Sequence, residues 1–138
     1  MTKKEYLSQA HHIDCRINAK ISQVSSLHDL ATKASVTISD MPGSPTRNTH
    51  QMENVIVKII DLEGQINTEI DRLVDLKAEI GYVINAVEDT DLRTLLELRY
   101  LSFKTWETIA CEMGYELRWI YKLHKRALDA VNIPENPK

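Results

Sequence analysis

Two long runs of apolar residues at helical spacing fill the first two thirds of the chain. In the first, Tyr6, Ala10, Ile13, Ile17, Ile21, Val24, Leu27, Ala31 and Ala34 recur in steps of three and four. Such steps place them on one face of an α-helix. In the second, Met52, Ile59, Ile66, Leu73, Ile80 and Val87 repeat every seven residues. Val55, Leu62, Leu76 and Val83 fill the companion positions, with Glu69 as the break and Ile70 beside it. A seven-residue apolar repeat sustained this long predicts a coiled-coil seam. Between the runs lies TISDMPGSPTRNT, where Pro42, Gly43 and Pro45 interrupt helical continuity. The expectation is an antiparallel helical hairpin over residues 1–88, with its loop at about 37–49. Ile56, Val57, Ile60 and Ile84 fall outside the seam. They predict a further packing face, either for the C-terminal helices or for a second copy, and the hairpin is expected to form a homodimer.

The last third has a shorter rhythm. Thr105 can cap a helix whose inward positions are Trp106, Ile109, Ala110 and Met113. Gly114 follows, where a left-handed turn is needed. A second helix then begins, with Leu117, Ile120, Leu123 and Leu128 apolar and Ala127 small. Its other face carries Arg118, Tyr121, Lys122, Lys125 and Arg126, and no acid occurs from Leu117 to Leu128. Upstream, Leu92, Leu95, Leu96, Leu98 and Tyr100 predict another apolar helix that closes a small core. Two short helices around a tight turn, the second one basic, are the layout of a helix-turn-helix, whose second helix enters the DNA major groove. The fold expected is therefore all-α, with the hairpin followed by a helix-turn-helix domain at 89–133 and a tail at 134–138.

Charge sharpens this picture. The net charge of −3 over 138 residues does not mark a basic nucleic-acid binder as a whole. The charges are segregated, however: residues 48–100 hold eleven acids against five bases, and four bases lie between Arg118 and Arg126. Local charge decides where a polyanion docks. Cys15 and Cys111 lie far apart inside apolar helical patterns and give no disulfide framework. Cys111 is expected as a small buried residue. No signal peptide or membrane-length apolar run is visible, so a cytoplasmic protein is expected.

The string LRTLLELRYLSFKTWETIACEMGY, continued by WIYKLHKRAL, resembles region 4 of sigma factors. More closely, it resembles the small phage transcriptional regulators of the ArpU/RinA late-activator type, which share that sigma-like helix-turn-helix. The resemblance covers roughly residues 90–130. Where sigma factors place a Ser or Thr cap and an Arg-Glu-Arg cluster, this chain has Glu116 and then Leu117, Arg118 and Trp119. Tyr121 and Lys122 stand in place of an Arg and a Gln. The resemblance implies the fold, but not the DNA sequence that sigma factors read. It further implies a phage or prophage transcriptional regulator acting in a bacterial cytoplasm. The acidic face of the hairpin is compatible either with dimerisation or with RNA polymerase as a further partner.

Residues near the start of a recognition helix meet base edges, which makes Arg118, Tyr121 and Lys122 the base-reading candidates. Lys125 and Arg126 lie a turn later and are assigned to phosphates, as is Lys104 at the entrance of the first helix. A short basic run is more often a solvated face, but the turn and apolar helix before this one favour DNA contact. Trp119 is expected to pack on the hairpin. His11, His12 and Cys15 are close in sequence but lack the further ligands that zinc needs, so no metal or cofactor is expected. Glu63, Asp71, Asp75 and Glu79 fall on outer helix faces. With no Gly-rich phosphate loop or nucleophile elbow, the chain is read as a non-enzyme. Two alternatives remain. One is the small subunit of a phage packaging terminase. The other is a sigma-like interaction module that docks on protein through Leu117 and Trp119.

Overall fold

A computed structural model describes residues 1–40 and 45–134, with the backbone alone at 34–40 and 45–49. It contains α1 (Lys3–Asp40), α2 (Pro45–Asn85), α3 (Thr90–Leu96), α4 (Trp106–Met113) and α5 (Leu117–Ala130), with a π-helical turn at Glu97–Leu101 directly after α3. Among the described residues there is no strand, and the chain is all-α. No helix among them is long and apolar enough to cross a membrane.

The helix starts follow from local chemistry. At α1, Thr2 Oγ1 accepts from Glu5 N at 3.1 Å and Glu5 Oε2 accepts from Thr2 N at 3.1 Å. This reciprocal capping box satisfies two backbone donors. Pro45 opens α2 at the position where its missing N–H and preset φ suit a helix. Asp89 caps α3 by accepting from Asp91 N and Leu92 N. α1 runs to Asp40 and α2 begins at Pro45, so the break is shorter than the expected 37–49 loop. Its centre at 41–44 lies outside the described residues, as does the tail at 135–138.

Backbone contacts divide the chain into two compact units: Met1–Asp14 with Leu73–Lys138, and Cys15–Arg72. The first holds two apolar clusters. In one, Leu95, Ile109, Ala110, Ile120 and Leu123 are buried, with Leu92, Leu98, Trp106, Met113 and Leu117 packed against them. This is the small core of α3, α4 and α5. In the other, Tyr6, Leu7 and Ala10 from α1 meet Ile80, Val83 and Ile84 from the end of α2 and Val87 just beyond it, against Leu96, Tyr100, Ala127 and Val131. Tyr6, Leu7, Ile80, Ile84 and Leu96 are fully buried. The Tyr6 hydroxyl donates to Glu79 Oε1 at 2.8 Å; burial and that carboxylate raise its pKa.

In the second unit, Ile17, Ile59 and Ile66 are buried. Val24, Leu27, Ala31, Met52, Val55, Leu62 and Glu69 are half-buried around them. The seven-residue repeat of α2 thus faces inward at every position, the Glu69 break included. One expected position of α1 is corrected. Ile21 is 48% exposed, and Lys20 turns inward instead. The inward residues of α1 step 10, 13, 17, 20, 24, 27, 31, a strict alternation of three and four that the step from 17 to 21 breaks. The polar break explains the choice: Glu69 receives Arg16 at 3.2 Å and Lys20 at 3.9 Å. A carboxylate in an apolar seam is costly unless paired, and two cations meet it. Ile56, Val57, Ile60 and Ile70 are exposed.

Two further corrections concern the first unit. Leu92–Tyr100 is not one regular helix, because α3 gives way at Glu97 to the π-helical turn. Ser102 N donates to Glu97 O and Lys104 N to Leu98 O, both at 3.0 Å. Tyr100, within this turn, is buried together with Leu95 and Leu96. Cys111 is exposed rather than buried, because Ile109 and Ala110 occupy the inward face of α4.

Candidate nucleic-acid interface

The turn between α4 and α5 is built from two local decisions. Thr105 accepts from Thr108 N at 3.2 Å and so fixes where α4 starts. Gly114 ends it in the left-handed conformation at φ 74°, with Gly114 N and Tyr115 N both donating to Ala110 O at 3.0 Å. Only glycine enters that region without a Cβ penalty. Glu116 stands at the start of α5 without a side-chain capping bond. The Tyr115 hydroxyl donates to Asp91 Oδ2 at 3.0 Å, tying the turn to the start of α3.

From this start α5 divides cleanly. Ile120, Leu123 and Ala127 are buried. Arg118, Trp119, Tyr121, Lys122, Lys125 and Arg126 are all exposed, on one continuous side of the helix. Five of the six sequence-selected candidates are therefore gathered on this face. The sixth differs: Lys104 is half-buried and its ammonium is ion-paired with Glu112. Trp119, expected to pack, is 38% exposed, and the Arg126 guanidinium lies 5.4 Å from its ring centroid. It packs on its own helix rather than beneath another one.

Behind this face lies a group of residues that the sequence did not bring together. Trp106 meets Tyr121 edge-on at 5.7 Å and His124 at 4.5 Å between ring centroids. The Arg99 guanidinium lies 4.4 Å from the Trp106 centroid and donates to Lys104 O at 2.9 Å. Tyr100 Oη and His124 Nε2 share a hydrogen bond of 2.6 Å. Burial pushes the His124 imidazole down to about 4, helped by the positive charges of Lys4 and Arg99. Burial likewise pushes the Tyr100 phenol up to about 12. His124 is neutral at physiological pH, so it adds no charge to the basic face. The sequence held a weak signal for this group: Arg99 and Tyr100 interrupt the leucine pattern at the π-helical turn, and such turns are frequent at functional sites.

No three His, Cys, Asp or Glu side chains among the described residues are grouped to hold a metal ion. What the face offers a ligand is four cationic side chains and two aromatic surfaces. No curated protein and no solved structure matches the chain. One family does, described as a protein of unknown function, DUF1492, and it matches residues 34–132. That span takes in all of α2 to α5, the turn at Gly114 and the whole basic face, and the chain belongs to the DUF1492 family.

Proposed function

We propose that the protein is a sequence-specific double-stranded DNA-binding transcriptional regulator, with α4 and α5 acting as a sigma-region-4-like helix-turn-helix. The observation that carries the reading is the exposed side of α5. Arg118, Lys122, Lys125 and Arg126 all lie there, and no acid intervenes before Asp129. Arg118, Tyr121 and Lys122 occupy the first turns, where side chains reach base edges. Lys125 and Arg126 lie farther along and meet phosphates. Lys104 contributes to DNA only if it exchanges Glu112 for a phosphate. The resemblance to phage late activators of the ArpU/RinA type supports the same role and a bacterial cytoplasm as its place. The remaining helices form an antiparallel hairpin that dimerises, or holds RNA polymerase through its acidic surface.

Selection of duplexes from a randomised pool, followed by sequencing, tests this directly. One enriched motif is expected, and two half-sites about one helical turn apart if the protein is a dimer. Lys122→Ala should change the preferred base at one position, with about 1–3 kcal/mol of discrimination lost there. Lys125→Ala should weaken all duplexes alike and reduce the slope of affinity against salt by about 1. Equal effects of the two variants at every salt concentration would refute the assignment of roles. Particle mass separates this reading from a packaging terminase, which assembles as a ring. The exposure of Trp119 beside Arg126 favours one second reading, a protein-docking module. That reading predicts no duplex binding even at low salt.

A further inference from the structure

In the first unit, away from the exposed face of α5, Lys4, Ser8 and His11 of α1 meet Arg99, Tyr100 and Phe103 around a small cavity of about 50 Å³. Its chemistry is one-sided. Two permanent cations, an imidazole and two hydroxyls line it, and no carboxylate does, in a chain whose acids outnumber its bases by 20 to 17. Neither Lys4 nor Arg99 forms an ion pair among the described residues.

Arg99 is held in place before any ligand arrives. One of its nitrogens donates to Lys104 O, and its plane lies over Trp106. The rest of its donor fork remains for another acceptor. A half-buried guanidinium with no anion beside it loses hydration without compensation. The opposite wall is equally constrained. Phe103 is the one non-glycine residue with positive φ among those described, at 57°. Its ring is held against His11 at 5.3 Å, with Lys77 Nζ 4.6 Å from its centroid. Left-handed backbone costs a bulky residue about 1–2 kcal/mol, and such strain gathers at ligand sites.

We infer that this cavity is a binding site for a single phosphate group, held by the Lys4 ammonium and the Arg99 fork with Ser8 donating from its hydroxyl. Its size suits one tetrahedral oxyanion and excludes a nucleoside from the interior. The group is either a terminal or free phosphate, or one supplied by a nucleic-acid backbone.

The test is titration of the full chain with inorganic phosphate at neutral pH, followed by calorimetry and by NMR shifts of the Ser8 and His11 amides. Chloride at matched ionic strength is the control. Saturable one-to-one binding is expected, weakened about tenfold or more in Lys4→Gln, as loss of one charge-assisted contact implies. Arg99→Gln should abolish it. Arg99 also braces Trp106, so its fold is checked by near-ultraviolet dichroism, and the exposed Lys4 variant decides if that check fails. Unsaturable shifts that chloride reproduces, or wild-type affinity in Lys4→Gln, would overturn the site. Duplex binding by Lys4→Gln then identifies the source. A weaker, less salt-dependent complex assigns the phosphate to nucleic acid; an unchanged one, with phosphate binding weakened, assigns it to a free phosphate or ester. Phosphate binding without any duplex binding would refute the DNA reading and leave the pocket standing.

Discussion

Leu7 and Ile84 in the first unit, and Ile21, Ile56 and Ile70 in the second, occupy equivalent flanking positions of the same two heptad patterns. Their fates are opposite. Leu7 and Ile84 are fully buried, whereas Ile21, Ile56 and Ile70 are 40–48% exposed. In the first unit a third layer, made by the π-helical turn and the end of α5, covers the flank of α1 and α2. In the second, among the described residues, two helical segments bury only their seam. A two-helix seam removes only a narrow stripe of each helix from water, so equal hydrophobicity at the flank yields core in one unit and surface in the other.

That contrast can be broken most forcefully by truncation. Ile84→Ala should cost about 2–5 kcal/mol in chemical denaturation, through lost transfer energy and a cavity. Ile56→Ala should stay within about 0.5 kcal/mol, as exposed substitutions do. A large, concentration-dependent cost for Ile56→Ala would mean that a second copy covers the flank in solution.

Acid comes next and acts on the first unit. His124 has a folded pKa of about 4 against 6.5 for the free side chain. Above 6.5 it is neutral in both states. As pH falls from there, the unfolded chain takes a proton that the fold refuses, so stability should decline until about pH 4 and gain nothing below it. Following the denaturation midpoint across this range checks the sign, and His124→Gln should flatten the profile.

Gly114→Ala is a smaller change. A methyl group there would meet nothing within 4 Å, so only the left-handed backbone resists it, at a cost of about 1 kcal/mol. A larger loss would mean that the turn touches something beyond its own helices. Smallest of all, Glu69→Leu should leave stability unchanged or slightly raised, because apolar residues replace seam ion pairs at little cost. A clear loss would mean that Arg16 and Lys20 contribute more than local charge balance.

What the residues themselves revealed follows the same division. The α2 seam, the α4–α5 turn and the outward side of α5 were legible because each depends on a local rule: a repeat of seven, a glycine after an apolar helix, a run without acids. Ile21 was misplaced because three-and-four stepping permits either 20 or 21 after Ile17. Only Glu69, forty-nine positions later in the chain, makes the lysine the inward choice. The π-helical turn left only the weak signal of Arg99 and Tyr100. The gathering of Lys4, Ser8 and His11 beside Arg99 was not legible, because it depends on contacts between residues about ninety positions apart. Cys111 was misplaced because its residue type outweighed its position: the inward set Trp106, Ile109, Ala110 and Met113 already left it on the outer side of α4.

One of those long contacts also sets an order in time. Tyr6, Leu7 and Ala10 share a cluster with Ala127 and Val131, and Lys3 Nζ donates to Asp129 O at 3.2 Å. At a synthesis rate of roughly 5–20 residues per second, the first turn of α1 waits on the order of ten seconds for the last turn of α5 to be made. Until then three of its apolar side chains have no finished core. The two segments therefore complete one core together, and emptying it from either side, by Leu7→Ala or by Val131→Ala, should weaken the same cluster.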